Sequence, residues 1–147
     1  MPTATDPALL ASELRAVLGQ LVRRLRVEHA FPLTQGTVLG RLDRQGTLSV
    51  SELATAERVR PQSMAQTVAD LEAAGLVARR PDPGDGRRAL VELTAEGRTT
   101  LEADRRHREG WLAEGIAGTL TAAERRTLRD AVALLRRLGE AQSSPSK

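Results

Sequence analysis

The stretch that decides the fold is PQSMAQTVADLEAAGLVARRPDPGDGRRALVELT, residues 61–94. Its first half has a proline at the start of a helical pattern and Gly75 at the end, which are typical boundaries of a helix. Met64, Val68 and Leu71 recur at helical spacing and share one face. We therefore expect a helix that packs inward through these three side chains.

The second half predicts a β-hairpin directly after that helix. The segments LVARRP and RRALVEL have strand-like composition and flank PDPGDG. Within this loop, Asp85-Gly86 is a strong signal for the tight turn of a hairpin. The arginines around the loop, Arg79, Arg80, Arg87 and Arg88, would give its tip a dense positive charge.

Upstream, two short helices are expected on either side of a tight turn. Ser49 and Glu52 form a capping-box pattern that opens SVSELATAE, residues 49–57. Only residues 58–60 separate this segment from the helix that begins at Pro61. The pair is a candidate helix-turn-helix, and a hairpin that follows a helix-turn-helix is a wing. A further helix, capped by Thr34 and stopped at Gly46, is expected before it.

Long amphipathic helices are expected at both ends. Asp6-Pro7 should open the first, which runs to about His29. Thr94 should cap a fifth helix to about Ile116, and a Thr121/Glu124 capping box should open a sixth. The apolar stripes of the first and sixth helices comprise Leu10, Leu14, Val17, Leu18, Leu21 and Leu25, and Leu128, Ala131, Val132, Leu135 and Leu138.

A small middle domain cannot cover both stripes, but a second copy of the chain can. The predicted fold is therefore mainly α with a small β-hairpin wing. Residues 33–97 would form a winged helix-turn-helix lobe, and residues 6–32 and 98–140 a helical dimerisation region.

The outer face of the fourth helix carries Gln62, Ser63, Gln66 and Thr67. Gln pairs bidentately with adenine in the major groove, and Ser or Thr reaches bases or phosphates. Each such residue taken alone is more often a solvated polar position, and an arginine-rich hairpin taken alone can simply aid solubility. The helix and the hairpin together favour double-stranded DNA as the partner. Within the wing, Arg79, Asp85, Arg87 and Arg88 are the candidate residues.

Bulk composition narrows the remaining classes. The formal net charge is +3, and residues 34–93 balance eight arginines against eight acidic residues, so a DNA signal must come from local placement. The absence of Cys excludes disulfides and thiolate metal sites. No apolar run is long enough to cross a membrane and no secretory signal is visible, so the expected location is the cytoplasm.

Catalytic and cofactor sites are not expected. His29 and His107 are the two histidines, and they lie too far apart along the chain to form a ligand pattern for zinc. PDPGDG lacks the strand-loop-helix context of a phosphate-binding loop. No pair of nucleophile and base is suggested, so the sequence predicts a protein that is not an enzyme and holds neither a cofactor nor a metal.

The chain resembles the multiple-antibiotic-resistance regulator (MarR) family of bacterial winged-helix transcription factors over roughly residues 7–139. The similar stretches are FPLTQGTVLGRL, LSVSELA and SMAQTVADLEAAGLVARRPDPGDGRRALVELTAEG. The most specific part is Asp85-Gly86-Arg87, followed by the strand and then Leu93-Thr94-Ala95-Glu96-Gly97.

The resemblance implies a homodimeric regulator, acting as a repressor on a pseudo-palindromic operator. It implies base contacts at Gln62, Ser63, Gln66 and Thr67, a wing arginine at Arg87, and a role for Asp85 in the charge network of the wing. It also implies a small anionic effector near His29, Phe31 and Leu33. The alternative is a winged-helix module that binds proteins and does not read DNA; an apolar exposed wing would favour that alternative.

Overall fold

The computed structural model describes Thr3 and residues 5–143. In chain order its elements are α1 (Pro7–Val27), α2 (Leu33–Gln45), β1 (Leu48–Ser49), α3 (Val50–Glu57), α4 (Pro61–Ala73), β2 (Val77–Pro81), β3 (Ala89–Leu93), α5 (Ala95–Thr119) and α6 (Ala122–Ser143). The chain is thus mostly helical, with a small antiparallel sheet, as the sequence predicts.

The sequence predicts the N-terminal cap of α1 correctly and that of α2 incorrectly. The Asp6 carboxylate accepts hydrogen bonds from the backbone N–H groups of Ala8 and Leu9, so the predicted cap of α1 is confirmed. The predicted cap of α2 by Thr34 is wrong. That helix begins one residue earlier, at Leu33, and Pro32 precedes it without a side-chain cap, because the fixed φ of proline already sets the entry of the chain.

The helix-turn-helix consists of α3 and α4. Ser49 Oγ accepts the N–H of Glu52 at 3.1 Å and so caps α3. Arg58 ends that helix with a φ of 55°, and within the described part of the chain it alone among non-glycine residues has a positive φ. This left-handed residue reverses the chain tightly enough for Pro61 to start α4 three positions later.

The sheet has three strands in the order β1-β3-β2, all antiparallel. The hairpin of β2 and β3 is the predicted wing, with Val77 opposite Leu93 and Pro81 opposite Ala89. The sequence analysis missed β1, because its two residues lie directly before a capping box and show no alternation of their own. Pairing of Leu48 with Val91 ties the base of the wing to the start of α3.

The loop of the wing differs from the predicted two-residue turn at Asp85-Gly86. It spans residues 82–88 and folds as two consecutive turns, each begun by an aspartate. Asp85 N–H donates to the Asp82 carbonyl at 3.3 Å, and Arg88 N–H donates to the Asp85 carbonyl at 3.0 Å. Gly86 lacks the positive φ of a two-residue hairpin turn, because the longer loop distributes the reversal over seven residues.

One hydrophobic core holds the winged lobe together. Met64, Val68 and Leu71 of α4 are buried, which confirms the predicted inner face of this helix. They pack in one cluster with side chains of α2, α3, the sheet and α5, namely Val38, Leu39, Leu42, Leu53, Ala54, Leu76, Val77, Val91 and Leu101. The polar outer face of α4 is therefore fixed by the burial of its inner face.

The end of α4, the two ends of the wing and the start of α5 meet at a single junction. The Thr94 hydroxyl donates to the Gly75 carbonyl at 2.7 Å and accepts the Gly97 N–H at 2.9 Å. Thr94 N–H donates to the Leu76 carbonyl at 3.1 Å. A Cβ on Gly97 would lie 2.0 Å from that same carbonyl oxygen, so only glycine permits this approach.

The chain forms two compact units, divided between Arg108 and Glu109 inside α5. In the second unit, Thr121 and Glu124 cap α6 reciprocally, with backbone N–H to side-chain oxygen distances of 2.9 and 3.2 Å. The predicted dimerisation region, residues 6–32 and 98–140, would need a partner subunit to cover its apolar stripes, and it stays a prediction. Among the described residues, no helix is long and apolar enough to cross a membrane.

Two glycines of α5 should respond oppositely to the same substitution. Gly97→Ala forces a methyl group against the Leu76 carbonyl and should lower the free energy of unfolding by about 1–3 kcal/mol, the usual cost of overpacking. Gly110→Ala meets nothing within 4 Å and should raise it by about 0.5–1 kcal/mol, since alanine favours the helix. Urea denaturation of both variants measures this. Equal stability of Gly97→Ala and the parent would contradict the packing argument.

Candidate DNA-binding surface

The outer face of α4 presents Gln62, Ser63 and Gln66 to solvent, while Thr67 is half-buried. The Gln62 side chain has no hydrogen-bond partner among the described residues, so both its donor and its acceptor are available. Proline at the first helical position places Gln62 in the first turn of the helix. The recognition helices of helix-turn-helix proteins contact base edges from this end.

Gln66 and Thr67 are partly engaged. Gln66 Nε2 donates to Asp70 Oδ1 at 2.9 Å, one turn further along α4. The Thr67 hydroxyl donates to the Ser63 carbonyl at 3.1 Å. A base contact by Gln66 therefore requires the side chain to leave Asp70, whereas a contact by Gln62 requires no such exchange.

Arg79 joins the wing to the recognition helix. Its Nε and Nη2 donate to Glu72 Oε1 at 3.3 and 3.1 Å, and its backbone N–H donates to Glu72 Oε2 at 3.2 Å. The side-chain hydrogen bonds from Arg79 hold the pKa of Glu72 below its ordinary value. Arg79 thus links β2 to the last turn of α4, and a direct DNA contact by this residue stays a prediction.

Carboxylates also hold two other wing arginines. Arg80 Nε lies 3.4 Å from Glu92 Oε2 on the neighbouring strand. Arg88 pairs with Glu52 of α3, and its Nε lies 3.8 Å from Asp82 Oδ2.

Arg87 differs from the other wing arginines. It is exposed, and its guanidinium has no acidic partner in the described part of the chain. Its backbone N–H donates to Asp85 Oδ1 at 3.0 Å. Asp85 therefore stabilises the backbone of the turn, whereas the wing guanidinium that lies beside an aspartate is that of Arg88, next to Asp82. Arg87 is left as an exposed cation that the turn directs outward.

Of the three candidate effector residues, His29 and Leu33 line a groove, and Phe31 lies outside it. His29 Nδ1 is 3.3 Å from Asp104 Oδ2, and Leu33 is 47% exposed. Both line a groove of about 320 Å³ whose basic residues are Arg44, Arg105 and Arg108. Phe31 does not line this groove; it packs against the hydrophobic core of the lobe.

Asp104 binds two residues that line the groove, His29 and Arg108. Its side chain is almost fully buried, and it accepts the Ala30 N–H at 2.7 Å and the Arg108 Nε at 3.1 Å. Asp43 of α2 binds Arg98 at 2.7 Å and Arg105 at 2.8 Å, so it holds a second arginine of the groove. The hydrogen bond from Arg105 is the main cause that lowers the pKa of Asp43.

Sequence reasoning missed Asp104 and Glu52. Asp104 lies in the charged run EADRRHREG, where only the Arg108 four positions later signals a pair. Glu52 was interpreted as half of a capping box, and its bond to a residue 36 positions away leaves no local trace. Within the described residues, no group of three or more His, Cys, Asp or Glu side chains could hold a metal ion.

The fold and the exposed residues define a winged helix-turn-helix protein, and comparisons with known proteins narrow the class. The model of the MarR family matches residues 31–88. A relative from Mycobacterium bovis, the uncharacterized HTH-type transcriptional regulator Mb0904, is 40% identical over 131 residues, which are 87% of this chain and 91% of that protein.

Solved structures show the same likeness. The crystal structure of a transcriptional regulator protein from Pseudomonas aeruginosa matches this chain with a TM-score of 0.81 and 40% identity. The match covers 94% of this chain and 98% of that one. BpsR of Bordetella bronchiseptica has a TM-score of 0.64 and 24% identity over 99% of this chain and all of that one. Its DNA binding is described as regulated by 6-hydroxynicotinic acid.

The chain belongs to the MarR family. It is a DNA-binding transcriptional regulator and not an enzyme, as its sequence predicts. A DNA-binding regulator is therefore favoured over the alternative of a winged-helix module that binds proteins and does not read DNA.

Proposed function

We propose that this chain is a homodimeric repressor that binds a pseudo-palindromic operator, with α4 in the major groove and the wing at the adjacent minor groove. The observation that carries this proposal is Arg87, an exposed arginine without an acidic partner among the described residues, at the end of the wing. Arginine is favoured in narrow minor grooves, where the potential is most negative. A dimer bound across a promoter would exclude RNA polymerase.

Base reading is assigned to the outer face of α4. Gln62 and Ser63 are exposed in the first turn, and Gln66 follows one turn later. Two such helices in a symmetric dimer would meet successive turns of the major groove, about 34 Å apart, so the operator should be an inverted repeat.

The apolar faces of the terminal helices support a dimer. None of the residues of α1 is buried within its own chain, and Val17 and Leu21 are 53% and 44% exposed. On α6, Val132 and Leu138 are 46% and 49% exposed. Aligned leucine and valine side chains on two long helices favour burial against a second copy of the same surface.

A small anionic effector is assigned to the groove that His29 and Leu33 line. Arg44, Arg105 and Arg108 give this groove a positive character, although Arg105 and Arg108 already pair with carboxylates. The likeness to BpsR shows the fold alone, so the proposal rests on the lining of the groove. Asp43 of α2 binds Arg98 and Arg105 of α5, and Asp104 of α5 binds Arg108 and the backbone of Ala30, so an anion that competes for Arg105 or Arg108 would change how the lobe is held.

The dimer is tested by sedimentation. The parent chain should sediment at twice 15.9 kDa at micromolar concentration. Val17→Asp should shift it toward the monomer, because it places an unpaired charge in the apolar face that the dimer would bury. Gln20→Asp, which adds the same charge off the apolar stripe, is the matched control and should leave the dimer intact. A monomeric parent would exclude this assembly.

The wing is tested by Arg87→Ala against DNA from upstream of the protein's own gene. Operator affinity should fall, and the slope of log affinity against log salt should shrink by about 0.9 for each phosphate that the variant no longer neutralises. Arg87→Lys should restore the slope better than the affinity, because lysine keeps the charge but lacks the planar fork. Fluorescence anisotropy over a salt series measures both. Unchanged operator binding by Arg87→Ala would refute the role of the wing.

Base reading is tested by Gln62→Ala on operators with single base changes. The variant should lose about 1–3 kcal/mol of discrimination at one base pair of each half-site, as expected for a bidentate contact. An equal loss of affinity on operator and random DNA would show that Gln62 does not read a base.

The effector groove is tested with 6-hydroxynicotinic acid as the probe. It should release the parent protein from its operator, and Leu33→Trp should resist release while it binds the operator normally, because the larger side chain fills a groove that Leu33 only lines. Release of both proteins at the same concentration would locate the effector elsewhere.

A further inference from the structure

The wing arginines are not equally free to meet DNA. Arg79, Arg80 and Arg88 are each paired with a glutamate, and within the described residues only Arg87 of the four has no acidic partner. The glutamates belong to different elements. Glu72 ends α4, Glu92 lies in β3, and Glu52 lies in the first turn of α3.

Of these three glutamates, Glu52 is the one that lies in a capping box without making the backbone hydrogen bond usual for that position. It occupies the third position of a capping box, where the carboxylate ordinarily returns to the backbone N–H of the capping residue. In the box that opens α6, Glu124 does this and accepts the Thr121 N–H at 2.9 Å. In the box that opens α3, Ser49 accepts the Glu52 N–H, but the Glu52 carboxylate binds Arg88.

The Glu52–Arg88 pair is suited to exchange its partners. The side chains are 46% and 43% exposed, so water competes with the pair and it contributes little to folding. The Arg79–Glu72 pair is different, because Glu72 also accepts the backbone N–H of Arg79 and so holds the strand itself. Asp82, at 3.8 Å, gives Arg88 a second and weaker acidic neighbour.

We infer that Glu52 is a positioning residue for DNA binding, which holds Arg88 on α3 while no DNA is bound and competes with phosphate for it. Arg88 reaches DNA only when a phosphate replaces the Glu52 carboxylate. On contact with DNA, Arg88 then joins Arg87 as a second wing arginine that binds phosphate. Without DNA, Glu52 keeps Arg88 neutralised, and the attraction of the lobe to random DNA is reduced accordingly.

The test is Glu52→Gln, which keeps the size of the side chain and removes its charge. On a random duplex, affinity should rise by about two- to fivefold for each wing in contact, the range that an exposed ion pair allows. The salt slope should steepen by about 0.9 for each further phosphate that the released Arg88 neutralises. The melting temperature should stay close to that of the parent, because the pair is exposed.

The control is the same substitution in an Arg88→Ala background. There Glu52→Gln should add no affinity and leave the slope unchanged, because the arginine that it frees is gone. An equal rise in affinity in both backgrounds would overturn the inference, since Glu52 would then act only by repelling phosphate. An unchanged slope in the single variant would also overturn it. The inference needs only that the parent binds DNA, and operator or repressor activity does not enter the test.

Discussion

The contact between Gly97 and the Leu76 carbonyl is the constraint on which the DNA-binding surface depends. It lets α5 begin directly against the first residues of the wing, while Thr94 ties the end of the wing to Gly75 at the end of α4. The recognition helix, both strands of the wing and the long helix after them are thereby fixed at one point. A side chain larger than glycine at this point would separate elements that have to meet the same DNA together.

Acidic and basic side chains balance each other in the winged lobe. Residues 34–93 balance eight arginines with eight acidic residues, so no general positive field draws the lobe to nucleic acid. The pairs at Glu52, Glu72 and Glu92 neutralise their arginines one by one and leave Arg87 exposed. Binding through Arg87 and the polar face of α4 would require a fitting site, because the balanced charges of the lobe supply little long-range attraction.

Much of the fold could be predicted because its signals are local. Asp6, Thr94 and Thr121 each cap the helix that their sequence context indicates, and the spacing of Met64, Val68 and Leu71 identifies the buried face of α4. Three features that the sequence did not predict share one cause. The two-residue strand β1, the Asp104 contacts with His29 and Ala30, and the Glu52–Arg88 pair all join residues far apart in sequence. The loop of the wing was misjudged because Asp82 begins a turn of its own before Asp85 does. The family resemblance predicts the surface, but only the packed lobe distinguishes Arg87, which has no acidic partner among the described residues, from its paired neighbours.

The central claim is that α4 and the wing contact DNA as one rigid unit in each half of a symmetric dimer. Hydroxyl-radical footprinting on the DNA upstream of the gene tests it most directly, because the reagent cuts along the minor groove. We expect two protected minor-groove segments related by a two-fold axis, one beside each half-site, and we expect both to lose protection in Arg87→Ala while guanine and adenine contacts in the major groove persist. Protection confined to the major-groove contacts in the parent protein, or a single asymmetric segment, would contradict the account.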